Sequence, residues 1–177
     1  QAASLLDRGL IERDHEELFS AGQAWLALHG DAAWLLHMQY RPYCGGCTVH
    51  AVTAMGLFTA LPPTWMVWKL IPLAWGAAGL IVGRRLLTQH ASVAAATAFS
   101  LLWLLPPRAY GHLSLVAWGN HTEAGIVALV AVALALGADR PARRFALGVW
   151  LGFGVYISFS AGFVAAASAL WIARRAG

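Results

Sequence analysis

The residues best suited to chemistry lie near the start of the chain. Ile11-Glu12-Arg13-Asp14-His15-Glu16-Glu17 gathers four of the eight acidic residues into six positions. Asp14 and Glu17 stand three apart, so on a helix they share a face, with His15 adjacent. A carboxylate there could take a proton from an acceptor hydroxyl or hold a divalent metal. The plainer use is a solvated helix start, where acids complement the positive end of the helix dipole.

Three further groups carry polar chemistry. Trp118-Gly119-Asn120-His121-Thr122-Glu123 stands where a polar loop gives way to an apolar run, which makes His121 and Glu123 candidate binding residues. The alternative is a helix start capped by Asn120 or Thr122 with Glu123 in its first turn. Asn120-His121-Thr122 also matches a glycosylation sequon, which matters only in a eukaryotic secretory context. Tyr40-Arg41-Pro42-Tyr43-Cys44-Gly45-Gly46-Cys47 pairs a guanidinium suited to phosphate with two cysteines at C-x-x-C spacing. Cys44 and Cys47 could form a disulfide, exchange thiols, or, less fittingly with His50, ligate zinc. Arg108, Tyr110 and His112 form a polar cluster beside Pro106-Pro107, where Arg108 could meet an anionic headgroup. His29, His37, His50 and His90 are isolated and receive no role. No P-loop, dinucleotide fingerprint or serine nucleophile elbow is present.

What must position these residues is a membrane protein. The chain is 59% hydrophobic and 11% charged, against about 25% charged in soluble domains. Its apolar runs are continuous, which predicts an all-α polytopic helical membrane protein rather than a barrel of alternating strands. The basic residues cluster at segment ends, as Arg84-Arg85, Arg140 with Arg143-Arg144, and Arg174-Arg175. Such clusters orient spans and are not a nucleic-acid footprint. Alanine and arginine in place of lysine suggest a bacterial source, hence an inner-membrane location. The sequence begins at Gln1 without a signal peptide, so the expectation is one part of a longer membrane protein.

Residues 1–63 read as an outer-face region and 64–177 as a transmembrane bundle. The first region carries an amphipathic helix from Glu16 to Leu28 stopped by Gly30, an interfacial piece from Ala32 to Met38, and a juxtamembrane helix from Cys47 to Leu61 closed by Pro62-Pro63. Spans follow from Thr64 to Gly83, kinked at Pro72, from His90 to Leu105, and from Thr122 to Gly137. Arg108 to His121 and Ala138 to Arg144 read as loops. Phe145 to Ile172 is long for one crossing, and its polar middle fits two short helices turning near Tyr156–Ser160. One tilted, glycine-packed helix is the alternative. With the hairpin, all three arginine clusters fall on the cytoplasmic side. Residues 1–63, the 106–121 loop and the Tyr156–Ser160 turn then share the outer, periplasmic face.

The order of these pieces resembles the GT-C superfamily of membrane glycosyltransferases, including protein O-mannosyltransferases and the aminoarabinose transferase of lipid A. The matching pieces are Arg13-Asp14-His15 at the acidic position, Leu28-His29-Gly30-Asp31 at the end of the amphipathic helix, Tyr40-Arg41-Pro42 at the Tyr/Pro stretch, and Gly56-Leu57-Phe58 in the juxtamembrane helix. Pro106 and the Gly148-x-x-x-Gly152 segment also fit. His15 stands where the family has a second acid, although Glu16 follows. The resemblance implies sugar transfer from a polyprenyl-phosphate donor to an acceptor at the outer membrane face. Asp14 would be the acceptor-activating base, and His121 and Glu123 would line the site. Arg41 and Arg108 would be phosphate contacts on chemical grounds alone. No cofactor is required, although a divalent metal would suit the carboxylates. Expected partners are the lipid-linked donor, membrane lipids, and the rest of the protein or partner subunits, with no nucleic acid. The competing readings are a non-catalytic membrane subunit and a thiol oxidoreductase using Cys44 and Cys47.

Overall fold

The computed structural model describes residues 15–30, 45–119, 121–137 and 140–176, and among these every regular element is helical. The Ala32–Met38 piece lies outside the described residues. Helix α1 (His15–Leu28) ends where Gly30 takes φ +105°, a conformation that favours glycine. Helix α2 (Gly45–Ala60) precedes Pro62-Pro63, as the sequence anticipates, and begins two residues before Cys47.

The next apolar stretch is broken, but not at the expected place. Thr64 caps α3 (Trp65–Trp68), its hydroxyl accepting from Val67 N–H at 3.4 Å, and α4 (Leu70–His90) starts after Lys69. Pro72 lacks the N–H that would reach back to the carbonyl of Trp68, so the interruption falls one turn upstream of the proline. The two pieces together, Trp65–His90, form the one helical stretch among the described residues long and apolar enough to cross a membrane. It runs through Arg84-Arg85 instead of ending there.

Helix α5 (Val93–Leu104) is capped by Ser92, which accepts from Ala95 N–H at 3.1 Å. The segment read as a loop after Pro106-Pro107 instead holds a short helix, α6 (Arg108–Leu113), followed by non-helical residues. Helix α7 (Thr122–Leu136) carries no side-chain cap at His121, and the Thr122 hydroxyl donates to Leu113 O at 3.4 Å instead. Helix α8 (Pro141–Ile157) starts inside the expected basic loop because Pro141 suits the first helical turn. It stops at Ser158, and α9 (Ala161–Ala176) follows. The two-helix reading of this segment therefore holds, with the turn where the polar residues stand.

Helix α7 is central, packed against α4, α8 and α9, while α1 lies on α2 and α2 reaches α4 and α8. Small residues set the spacing. A Cβ on Gly79 would stand 2.7 Å from the Trp103 ring, and one on Gly83 would stand 2.5 Å from Phe99. With no side chain on that face, α5 lies close enough for Trp103 Nε1 to donate to Gly76 O at 3.0 Å. Trp150 Nε1 likewise donates to Val127 O at 2.9 Å, tying α8 to α7. Around these contacts Val127, Ile157 and Ala161 form one buried cluster, and Ala131, Ala135 and Leu147 another. A third joins α1, α2 and the α3–α4 junction through Ala24, Ala51, Ala54, Trp68 and Ile71, and takes in Ala117.

Candidate functional site

The segment 115–119, between α6 and α7, is held from both sides by buried ionisable groups. Lys69, the only lysine in the chain, donates to Glu17 Oε1 and Oε2 at 2.7 and 2.9 Å and to Leu115 O at 2.8 Å. Glu17 Oε1 also accepts the Ala117 backbone N–H. Both charged side chains are almost wholly enclosed, at 3% and 0% exposure. Isolated burial would cost each ion several kcal/mol; here Lys69 has three acceptors and Glu17 answers with two donors. Lys69 Nζ also stands 4.5 Å from the centre of the Trp65 ring, a cation–π contact.

On the other side, His50 Nδ1 lies 3.2 Å from Ala117 O, and His50 Nε2 lies 3.2 Å from Glu123 Oε1. The second approach is not aligned as a directed hydrogen bond, and His50 Nε2 and both Glu123 oxygens have no other hydrogen-bond partner. The edge of Trp68 covers the imidazole, with ring centres 6.1 Å apart. The polar atoms therefore run in one line, from Lys69 through Glu17, the Ala117 peptide and His50 to Glu123. Five stretches supply them: α1, α2, the α3–α4 junction, and the 115–119 segment with the first turn of α7 that follows it.

The N-terminus of α2 closes against the same place. A side chain on Gly46 would run into the backbone of Gly119, and one on Gly45 into the carbonyl of Tyr156. Gly119 itself has φ +80°, where glycine is favoured. Cys47 is disulfide-bonded, and its buried sulfur stands 3.7 Å from Trp118 O. The sulfur of a disulfide carries no proton, so this is contact without hydrogen bonding.

The candidate residues fall unevenly on this arrangement. Asp14, Arg41 and Cys44 lie outside the described residues. Arg108 is exposed at the start of α6. His121 is exposed and packs edge-on to Trp118, with centres 5.0 Å apart. Glu123 is 1% exposed and faces His50, not an open surface. The sequence offered His50 only as a weak zinc partner for the cysteines, and did not single out Lys69. A lone lysine inside an otherwise arginine-only apolar chain was the available signal for Lys69. Nothing in the spacing of His50 and Glu123 connects them. Among the described residues no three His, Cys, Asp or Glu side chains gather as a metal site. Comparison with known protein families, curated proteins and solved structures finds no match to this chain.

Proposed function

We propose that this chain is the membrane core of a glycosyltransferase resembling the GT-C superfamily, moving a sugar from a polyprenyl-phosphate donor to an acceptor at the outer face of a bacterial inner membrane. The observation that carries this reading is the buried network fastening α1 and α2 to the 115–119 segment. A transferase of this kind needs its amphipathic and juxtamembrane helices held rigidly at the mouth of the bundle, because a base placed an ångström away loses much of its effect.

Two features support the membrane setting. Large apolar side chains face outward along α5, α8 and α9, among them Leu102 at 69%, Phe145 at 76% and Phe163 at 82% exposed. Lipid would cover such a surface, whereas soluble domains avoid apolar patches of that extent. The arginine clusters also stand far from the network. Along α4, Lys69 to Arg84 spans ~22 Å, and along α8, Tyr156 back to Arg140 spans ~24 Å, at 1.5 Å per residue. Charge is thus segregated to one end and the polar network to the other, as an oriented bundle requires. Helices as short as α5 and α7 would be met by local thinning of the bilayer.

In this mechanism Asp14 takes the proton of the acceptor hydroxyl as its oxygen attacks the anomeric carbon, and the lipid phosphate leaves with the bonding pair. Arg41 and Arg108 are the cations suited to the phosphate charge, and His121 stands at the rim. The buried network holds the frame and touches no substrate. A thiol-exchange role is less well supported, since Cys47 is 6% exposed and closed off beside Trp118.

The test uses the full-length protein in proteoliposomes with a polyprenyl-phosphate sugar. Asp14→Asn is expected to lower transfer by 10²-fold or more, the scale of general-base loss, with expression and insertion unchanged. Activity near wild type in that variant would remove Asp14 from the mechanism.

A further inference from the structure

The arginine end of the bundle carries a charge that the chain itself does not balance. Seven of the eleven arginines, at positions 84, 85, 140, 143, 144, 174 and 175, belong to it, and Asp139 is the one acid beside them in sequence. Among the described residues the acids are Glu16 and Glu17 in α1 and Glu123 in the first turn of α7, at the other end. Arg84, Arg85, Arg140, Arg143, Arg144 and Arg174 are all exposed. The crowding is greatest at α8, where Arg140 precedes the helix and Arg143 and Arg144 fall in a first turn that holds no acid. Three guanidinium groups thus stand at the positive end of a helix dipole, where anions are the favoured company.

Directly beyond these arginines the outward face of α8 turns apolar. Phe145, Gly148, Val149, Gly152, Val155 and Tyr156 recur at helical spacing and are all exposed. A Cβ on Gly148 or Gly152 would meet nothing within 4 Å, so the face is open beside Phe145 and Val149. Arg144 stands one turn above Gly148 on the same side of the helix. From Phe145 to Tyr156 the stripe runs ~17 Å, close to the ~15 Å of hydrocarbon in one leaflet. We propose that this face of α8 docks an anionic phospholipid, with its phosphate at Arg140, Arg143 and Arg144 and an acyl chain along Phe145, Gly148, Val149 and Gly152. The proposal rests on the membrane setting argued above and not on sugar transfer.

Charge complementarity selects the headgroup, and the stripe selects a lipid over a soluble anion. A zwitterionic headgroup brings its own cation next to the phosphate, whereas an anionic one offers net negative charge to the cluster. Guanidinium groups suit phosphate because their donors form a planar fork. Arg143 Nη1 donates to Gly137 O at 3.5 Å, which keeps its side chain over the α7–α8 turn; with five N–H donors, one such contact leaves capacity for a phosphate oxygen. Helix α9, packed against α8, ends in the same way, with exposed Phe163, Ala167 and Leu170 leading to Arg174.

The experiment places the full-length protein in phosphatidylcholine bilayers with a trace of spin-labelled phosphatidylglycerol or spin-labelled phosphatidylcholine. The motionally restricted share of each label gives their relative association constants. Phosphatidylglycerol is expected to be preferred by about fivefold or more at low ionic strength. Molar salt should bring the ratio toward one, a result that needs no variant to fold. Arg143→Gln combined with Arg144→Gln should remove most of the preference, whereas Arg84→Gln with Arg85→Gln should leave most of it. Equal association of the two lipids would overturn the proposal. So would equal losses in the two double variants, which would mean diffuse charge and no site on α8. Displacement by inorganic phosphate at matched ionic strength would also overturn it, in favour of a soluble anion. A protein that restricts neither label would fail the membrane setting itself, while restriction without preference for a headgroup sinks the phospholipid site alone.

Discussion

Glu17 and Lys69 show how one ion pair is made tolerable inside an apolar bundle. Every strong acceptor of the pair has a donor, and the backbone of Leu115 and Ala117 completes the set. Breaking one side should be far worse than removing both. Lys69→Met, which strands Glu17 without its counter-charge, is expected to cost about 3–5 kcal/mol in chemical denaturation. Glu17→Gln combined with Lys69→Met should recover much of that loss, because the glutamine oxygen still accepts from Ala117 N–H. A double variant no more stable than Lys69→Met alone would contradict this account. Sequence inspection placed Glu17 among four acids and preferred its neighbour Asp14 for chemistry. What marks Glu17 is burial, and burial depends on which helix comes to lie over it.

The helices themselves were mostly legible as elements. Glycine 30, the Pro62-Pro63 pair and the capping residues Thr64 and Ser92 mark their limits by local sterics and hydrogen bonding, which a short window of sequence contains. Where the reading slipped, a longer apolar or basic stretch hid the boundary, as at Arg108–Leu113 and Pro141. The glycines separate into two kinds only once neighbours are known. Gly46 abuts the Gly119 backbone, whereas Gly22 in α1 meets nothing within 4 Å. Gly46→Ala should therefore destabilise the protein by about 1–3 kcal/mol or more, since backbone cannot move aside as a side chain can. Gly22→Ala should stabilise it by about 0.5–1 kcal/mol through helix propensity. Thermal unfolding of both variants checks the contrast, and equal effects of the same sign would refute it.

At the scale of the molecule, the arrangement joins regions that charge distribution alone had assigned to one face. Residues 17, 46 and 69 meet the 115–119 segment, and Gly45 meets Tyr156 at the last turn. The arginine clusters lie at the other ends of their helices. A C-terminal fusion placed after Arg175 is accordingly expected to be cytoplasmic. Green fluorescent protein should fluoresce there, and alkaline phosphatase should be inactive. The opposite pattern would invert the proposed orientation and move the network to the cytoplasmic end.

Composition and periodicity determined that the described residues are helical, where most of their helices begin and end, and that the long C-terminal apolar run divides near Ser158. These properties depend on residues within a few turns of one another. The tertiary structure alone decided that His50 faces Glu123, that Lys69 answers Glu17, and that both pairs clasp the Ala117 peptide. Lys69 stands 52 residues from Glu17, Glu17 stands 100 from Ala117, and His50 stands 67 from Ala117. No local pattern encodes such a meeting. It arises because the glycine-lined start of α2 can press onto Gly119, carrying His50 to where Glu123 is buried.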